Sequence, residues 1–147
     1  MTGHPMKILV ATDGSKHALH AVKYAARLSR LLRSASNVIT LISVHDDIGL
    51  RSAKSFVGRE KVADYLRELS EIELKAARRL LNTAGVKHNI VIRTGHVARE
   101  IVACANAGKY DLIVMGAKGR SAIADLLLGS VAQRVLATAK QPVVLVK

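Results

Sequence analysis

Five short, continuous apolar runs, separated by segments of helical period, constrain this chain more than any other feature. They are Lys7–Ala11, Val38–Val44, Asn89–Arg93, Asp111–Met115 and Pro142–Val146. A strand with one wet face alternates apolar and polar residues, whereas an unbroken apolar run needs both faces covered, as in a parallel sheet. The intervening segments supply the cover. Ser15 is a natural N-cap for a first helix that runs through Ala18, Val22, Ala25 and Leu28 to about Arg33. The polar stretch from His45 to about Ser55 reads as a loop. A second helix spans about Val57 to Ala84 with Val62, Leu66, Leu69, Ile72, Ala76 and Leu80 inward, and Gly85 closes it in a left-handed conformation. Val97–Ala107 and Ser130–Ala139 form the third and fourth helices. This alternation predicts an α/β fold: a doubly wound, five-stranded parallel sheet with helices on both faces. No repeat or linker divides the chain, so residues 1–147 read as one domain with 1–5 as a flexible extension.

Composition narrows the function classes. At 147 residues and 50% hydrophobic content the chain can bury a sizeable core, which excludes disordered and fibrous classes. The lone Cys104 excludes an internal disulfide framework and a Cys-rich zinc module, and on a short apolar helix it reads as a small buried hydrophobe. Neither a run of ~18 apolar residues nor a signal-like N-terminus is seen, so the expectation is a cytoplasmic protein without a membrane partner. Neither a G-x-S-x-G elbow nor a Ser, His and Asp set with triad spacing is present, so no catalytic residue is assigned.

In doubly wound sheets ligands bind beyond the carboxyl ends of the strands, where the strand order reverses. Two loops stand at such positions: Thr12-Asp13-Gly14-Ser15 after the first strand and Gly116-Ala117-Lys118-Gly119-Arg120-Ser121 after the fourth. Gly129-Ser130 then opens the fourth helix. Glycines let backbone N–H groups approach an anion, and a helix N-terminus adds oriented donors and partial positive charge. The combination describes a phosphate cradle. It is neither a Walker A loop nor a G-x-G-x-x-G dinucleotide turn. Lys118 and Arg120 are placed to add charge-assisted bonds there. Asp13 either caps the turn into the first helix or faces the ligand. Gly14 and Gly85 serve turns.

The pattern Gly116-x2-Gly119-x9-Gly129-Ser130 resembles the universal stress protein family, as do Ala-Thr-Asp-Gly-Ser at 11–15, Asp-Leu-Ile-Val-Met-Gly at 111–116, Leu-Leu-Gly-Ser-Val-Ala at 127–132 and the closing Pro-Val-Val-Leu-Val. The resemblance covers residues 6–147 and is to the ATP-binding branch, which the complete G-x2-G-x9-G-[S/T] pattern marks. It implies a Rossmann-like, adenine-nucleotide-binding sheet of order 3-2-1-4-5. Gly116, Gly119, Gly129 and Ser130 would hold ribose and phosphates, and Val131 and Ala132 would add backbone amides. Ala11, Thr12 and Asp13 would line the opposite side, Val44 would meet adenine, Met115 would pack near the nucleoside, and Arg120 would join the phosphate loop. ATP, with Mg2+ near Asp13, is the implied cofactor; no metal site is built by protein alone. The resemblance further implies a homodimer through Val143–Val146, whose edge backbone a second copy would cover. It implies a nucleotide-dependent regulatory or protective module in stress response and leaves slow ATP hydrolysis or autophosphorylation open. The loop from Ala117 to Leu128 would be its switch. Gly95-His96-Val97 departs from the family's Gly-x-Pro, and the charge is more basic than usual.

That charge is unevenly spread. Lysine and arginine number 23 against 11 acids, a net +12. Lys16, Lys23, Arg27, Arg30 and Arg33 fall in the first helix, and no acid stands between Gly14 and His45. At about 100° per residue, Lys16, Lys23, Arg27 and Arg30 lie within roughly 60° of one another. A scaffold or polyanion-binding stress protein using this stripe is one alternative, and a cyclic-AMP binder on the same fold is another. With three Tyr, one Phe and no Trp, nucleic acid is a disfavoured partner by composition. His17 and His20, with His45 conceivably near, read as surface histidines rather than metal ligands.

Overall fold

The computed structural model describes residues 5–32, 36–46, 56–119 and 127–147. Its core is a five-stranded sheet of order β3-β2-β1-β4-β5. The strands are β1 (Lys7–Ala11), β2 (Val38–His45), β3 (His88–Thr94), β4 (Leu112–Gly116) and β5 (Val143–Val146). Every pairing is parallel. The helices are α1 (Lys16–Leu31), α2 (Arg59–Thr83), α3 (Val97–Ala107) and α4 (Ser130–Thr138). The doubly wound architecture and strand order therefore stand as expected.

The apolar runs of β1, β2 and β4 are buried because helices cover both sheet faces, while the edge strands β3 and β5 are only partly buried. Ile8 and Val10 of β1 enter the core beneath α1 and α2, with Val22, Ala25 and Leu74. Leu9 and Ala11 point the other way, into the core beneath α3 and α4 with Ile101 and Val135. Alternate residues of one strand thus feed both cores. Polar bonds close the amino ends of the strands. Met6 N donates to Asn37 Oδ1 at 2.9 Å, Lys7 N to Asp111 Oδ2 at 2.9 Å, and Tyr110 Oη to Thr40 Oγ1 at 2.8 Å.

Most boundaries fall within a residue or two of expectation. Ser15 caps α1, its Oγ accepting from Ala18 N at 3.3 Å. Gly85 takes a φ of +70° after α2. His45, expected to begin a loop, instead ends β2, pairing with Thr94 of β3. Helix α2 starts at Arg59, two residues later than expected, after Gly58 with φ +89°. Arg33, residues 47–55 of the expected loop and residues 1–4 of the expected extension lie outside the described residues.

One correction is larger. The expected inward row of α2 begins properly with Val62 and Leu66, but Ile72 is 70% exposed and Ala76 is exposed; Leu69 and Leu80 are half-buried. The buried row continues instead through Ser70, Glu73, Leu74, Ala77 and Leu81. Two polar bonds hold that rotation. Ser43 Oγ donates to Ser70 Oγ at 3.0 Å, and His45 Nε2 meets Glu73 Oε2 at 2.9 Å. Residues 43 and 45 share one face of β2, and residues 70 and 73 lie one turn apart on α2, so the two periodicities meet. An apolar count cannot find this face, since it excludes Ser and Glu.

Removing Glu73 leaves a polar site inside a packed interface, which typically costs a few kcal/mol, whereas truncating an exposed aliphatic costs little. Glu73→Ala is therefore expected to lower the unfolding free energy by about 2 kcal/mol, and Ile72→Ala by less than about 0.5 kcal/mol. Urea denaturation of the two variants measures both, and the reverse order would restore the apolar row.

Candidate functional site

Strand β1 lies between β2 and β4, and the connections from its two neighbours leave on opposite faces. The carboxyl ends of β1 and β4 consequently diverge around a crevice. A cavity of about 490 Å³ sits there. Its walls come from the end of β1 (Ala11, Thr12, Asp13), the end of β2 (Ile42, Val44), the β4 end and loop (Met115 to Gly119), and the start of α4 (Gly129 to Ala132). Thus Ala11, Thr12, Asp13, Val44, Met115, Gly116, Gly119, Gly129, Ser130, Val131 and Ala132 all line one space. Arg120 and residues 121–126 of the expected switch loop lie outside the described residues.

The glycines have different physical reasons. A Cβ on Gly119 would stand 2.9 Å from Asp13 Oδ2, so glycine lets the β4 loop lie against the β1 loop. A Cβ on Gly116 would stand 2.9 Å from backbone C of His17 and 3.0 Å from Ala18 N. That residue lets the first turn of α1 rest on the end of β4, a packing role beside its place in the cavity wall. Gly129 is less constrained sterically; a Cβ there would meet Gly119 N and Lys118 Cα at 3.4 Å. Its N–H donates to Ala117 O at 2.8 Å, which pins the start of α4 to the β4 loop.

Helix α4 has an N-cap without a capping side chain. The first N–H groups of a helix have no intrahelical partner, so those of Ser130, Val131 and Ala132 are donors at the cavity wall, backed by the positive end of the helix dipole. The α1 terminus is closed differently. Asp13 Oδ1 accepts from Ser15 N at 2.9 Å and Thr12 Oγ1 from Gly14 N at 3.2 Å, around a Gly14 with φ +80°. Asp13 thus serves the turn with one oxygen while the other faces Gly119.

Sequence reasoning did not assign Ile42, Val97 or Ile101 to this wall, although all three line it. The signal was available: Ile42 is two residues from Val44 on one strand face, and Val97 and Ile101 are one helical turn apart. With Val44 and Met115 they give the cavity an apolar part, packed in one core with Val131 and Ala132.

The histidines do not converge. The rings of His17 and His20 are 6.2 Å apart, His20 Nδ1 lies 3.0 Å from Lys147 O, and His45 is held by Glu73. Among the described residues no three His, Cys, Asp or Glu side chains form a group able to hold a metal. His96 caps α3, its Nδ1 accepting from Arg99 N at 3.4 Å. Cys104 is on the buried face of α3, and desolvation pushes its thiol above the ordinary range, partly opposed by Arg93. Because the thiolate is the reacting form, alkylation by iodoacetamide at pH 8 is expected to be at least about tenfold slower in the native protein than in denaturant. Equal rates would place the thiol in solvent. No helix among the described residues is long and apolar enough to cross a membrane.

A doubly wound parallel sheet carrying a glycine-lined cavity and an uncapped helix start at its reversal point defines an α/β domain of Rossmann-like architecture. Residues 5–147 match the profile of the Universal stress protein family, and the chain belongs to that family. Universal stress protein MJ0531 of Methanocaldococcus jannaschii is 36% identical over 141 residues, covering 96% of this chain and 81% of its own length. A universal stress protein of Thermus aquaticus is 33% identical, covering 95% of this chain and 97% of its own. Among solved structures, protein MJ0577 superposes with a TM-score of 0.82 at 28% identity, covering 97% of this chain and 95% of that one. A universal stress protein in complex with cAMP superposes at 0.70 and 25% identity, covering 97% of each chain.

Proposed function

We propose that the cavity binds an adenine nucleotide, with ATP as the preferred ligand, and that the protein is a nucleotide-dependent regulatory module in stress response rather than a dedicated catalyst. The observation that carries this reading is the convergence, around one 490 Å³ space, of an apolar wall, two close-approach loops and the uncapped start of α4. A nucleobase fits the side of Val44, Ile42 and Met115, and phosphates fit the backbone donors of residues 130–132. The outward oxygen of Asp13 suits the ribose or a cation carried by the phosphates. Mg2+ would neutralise phosphate charge there, and Lys118 beside the loop adds a further cation. Slow hydrolysis would be a secondary property of such a site, with Asp13 the one carboxylate in the cavity wall among the described residues.

A second reading, cyclic AMP in the same cavity, is favoured by the relative crystallised with that ligand. We also assign homodimerisation to β5, the edge strand of the sheet, because it has a neighbour on one side only and a symmetric copy can satisfy its free backbone.

Mass spectrometry of small molecules released on denaturation, followed by calorimetric titration of the stripped protein with ATP, ADP, AMP and cyclic AMP, tests the ligand. ATP is expected to bind most tightly, and at about 100 times its Kd to stabilise the fold by about 2.7 kcal/mol. Gly119→Val is expected to weaken ATP at least about 100-fold by driving Asp13 and the loop apart, with Gly129→Val acting more mildly. Preference for cyclic AMP would select the second reading, and normal ATP binding by Gly119→Val would remove the site assignment.

A further inference from the structure

The nucleotide site leaves most of the basic residues unused, and four of them share one ridge. Helix α1 buries Ala18, Ala21, Val22, Ala25 and Ala26. Lys16, Lys23, Arg27 and Arg30 are exposed. At about 100° per residue those cations centre roughly 150° from the buried row, on the outer side of the helix. From Lys16 to Arg30 the ridge is about 21 Å long at ~1.5 Å per residue. Among the described residues none of the four has a carboxylate partner; the ion pairs join His45 to Glu73, Arg67 to Glu71 and Arg93 to Glu100. The chain carries no acid from Gly14 to His45, while Glu60, Asp64, Glu68, Glu71 and Glu73 gather on α2.

Arg30, in the last turn, suits the helix dipole, but the other three positions do not serve the helix itself. Lys16 sits in the first turn, where the dipole favours acids and α1 has none. Lys23 and Arg27 are an i,i+4 pair of like charge, and Arg27 and Arg30 an i,i+3 pair, both mildly destabilising in isolation. A dense external anion relieves all three repulsions together. The apolar residues of α1 are used up in the core, and exposed Leu31 and Leu32 stand only at its end, so the ridge lacks the inserting face of a membrane-surface helix. Tyr24, 39% exposed, is the lone aromatic beside it, too little for the stacking that single strands need. A duplex presents about one charge per 1.7 Å and requires only cations at its backbone.

We propose that the outer ridge of α1 docks onto the phosphate backbone of a nucleic-acid duplex without reading its sequence. Arg27 and Arg30 supply forked donors to phosphate oxygens, and Lys16 and Lys23 supply point charges.

Fluorescence anisotropy with a labelled 20-base-pair DNA duplex and the corresponding RNA duplex tests this in the full-length protein. If four phosphates are neutralised, raising KCl from 50 to 200 mM is expected to weaken binding about 150-fold, a log–log slope near −3.6. Lys23→Glu with Arg27→Glu is expected to weaken binding at 50 mM at least about tenfold, with an unchanged thermal melt and ATP titration. The charge-matched control Lys87→Glu with Lys140→Glu, both positions exposed and off α1, is expected to stay within about threefold of wild type. Equal loss in the control would assign the effect to net charge and overturn the ridge. Absence of duplex binding at 50 mM would overturn it too, as would tighter binding to vesicles containing 30% phosphatidylserine.

Discussion

Parallel pairing is the constraint on which the rest of this molecule depends. A parallel neighbour cannot be reached by a hairpin, so each of β1 to β4 is followed by a helix that crosses over a sheet face. With order β3-β2-β1-β4-β5, the chain travels outward to β3, then returns across β1 to β4 and β5. The first journey lays α1 and α2 on one face, and the second lays α3 and α4 on the other. Among the described residues, no helix crosses over the carboxyl ends between β1 and β4. The cavity is a consequence of that reversal.

What the crevice can hold depends on how its helix starts are finished. Side chains finish α1, through Ser15 and Asp13, and His96 finishes α3. Helices α2 and α4 both begin after a glycine that caps with no side chain. Only α4 does so at the cavity, because Gly129 N is tied to Ala117 O and brings the helix start against the β4 loop. The donors of Ser130, Val131 and Ala132 therefore face the same space as Gly119. Gly119 eases that approach, since a Cβ there would stand 2.9 Å from Asp13 Oδ2 and the carboxylate would have to shift. Two glycines and one backbone bond thus convert a topological gap into a surface lined with backbone donors.

The same contrast explains what was legible in the sequence. Continuous apolar runs report burial on two faces, so the five strands and their parallel sense could be read directly, and the glycine spacing marked the loops that meet at the cavity. The rotation of α2 could not, because Ser70 and Glu73 turn inward only once Ser43 and His45 are seen beside them on β2. Such a polar pairing is invisible to an apolar count and needs two distant segments placed together. The role of Gly116 was hidden for a related reason: its limit is the backbone of α1, at His17 and Ala18, not a nearby residue in the chain. The apolar wall from Val97 and Ile101 likewise depends on where α3 crosses.

The polar pair under α2 also bears on the site. Val44 stands between Ser43 and His45 on β2, and alternation along the strand turns it to the opposite face, into the cavity. The bonds at 43 and 45 therefore hold the carboxyl end of β2 from one side while Val44 meets the cavity on the other. Substitutions that loosen α2 act on the apolar cavity wall at Val44 through that strand, without touching the backbone donors at the start of α4. Ile42, Val44 and Met115 of the apolar wall pack in the same core as Val131 and Ala132 of α4, so a packing defect beneath α3 and α4 bears on both sides of the cavity, whereas one beneath α1 and α2 reaches it only through β2.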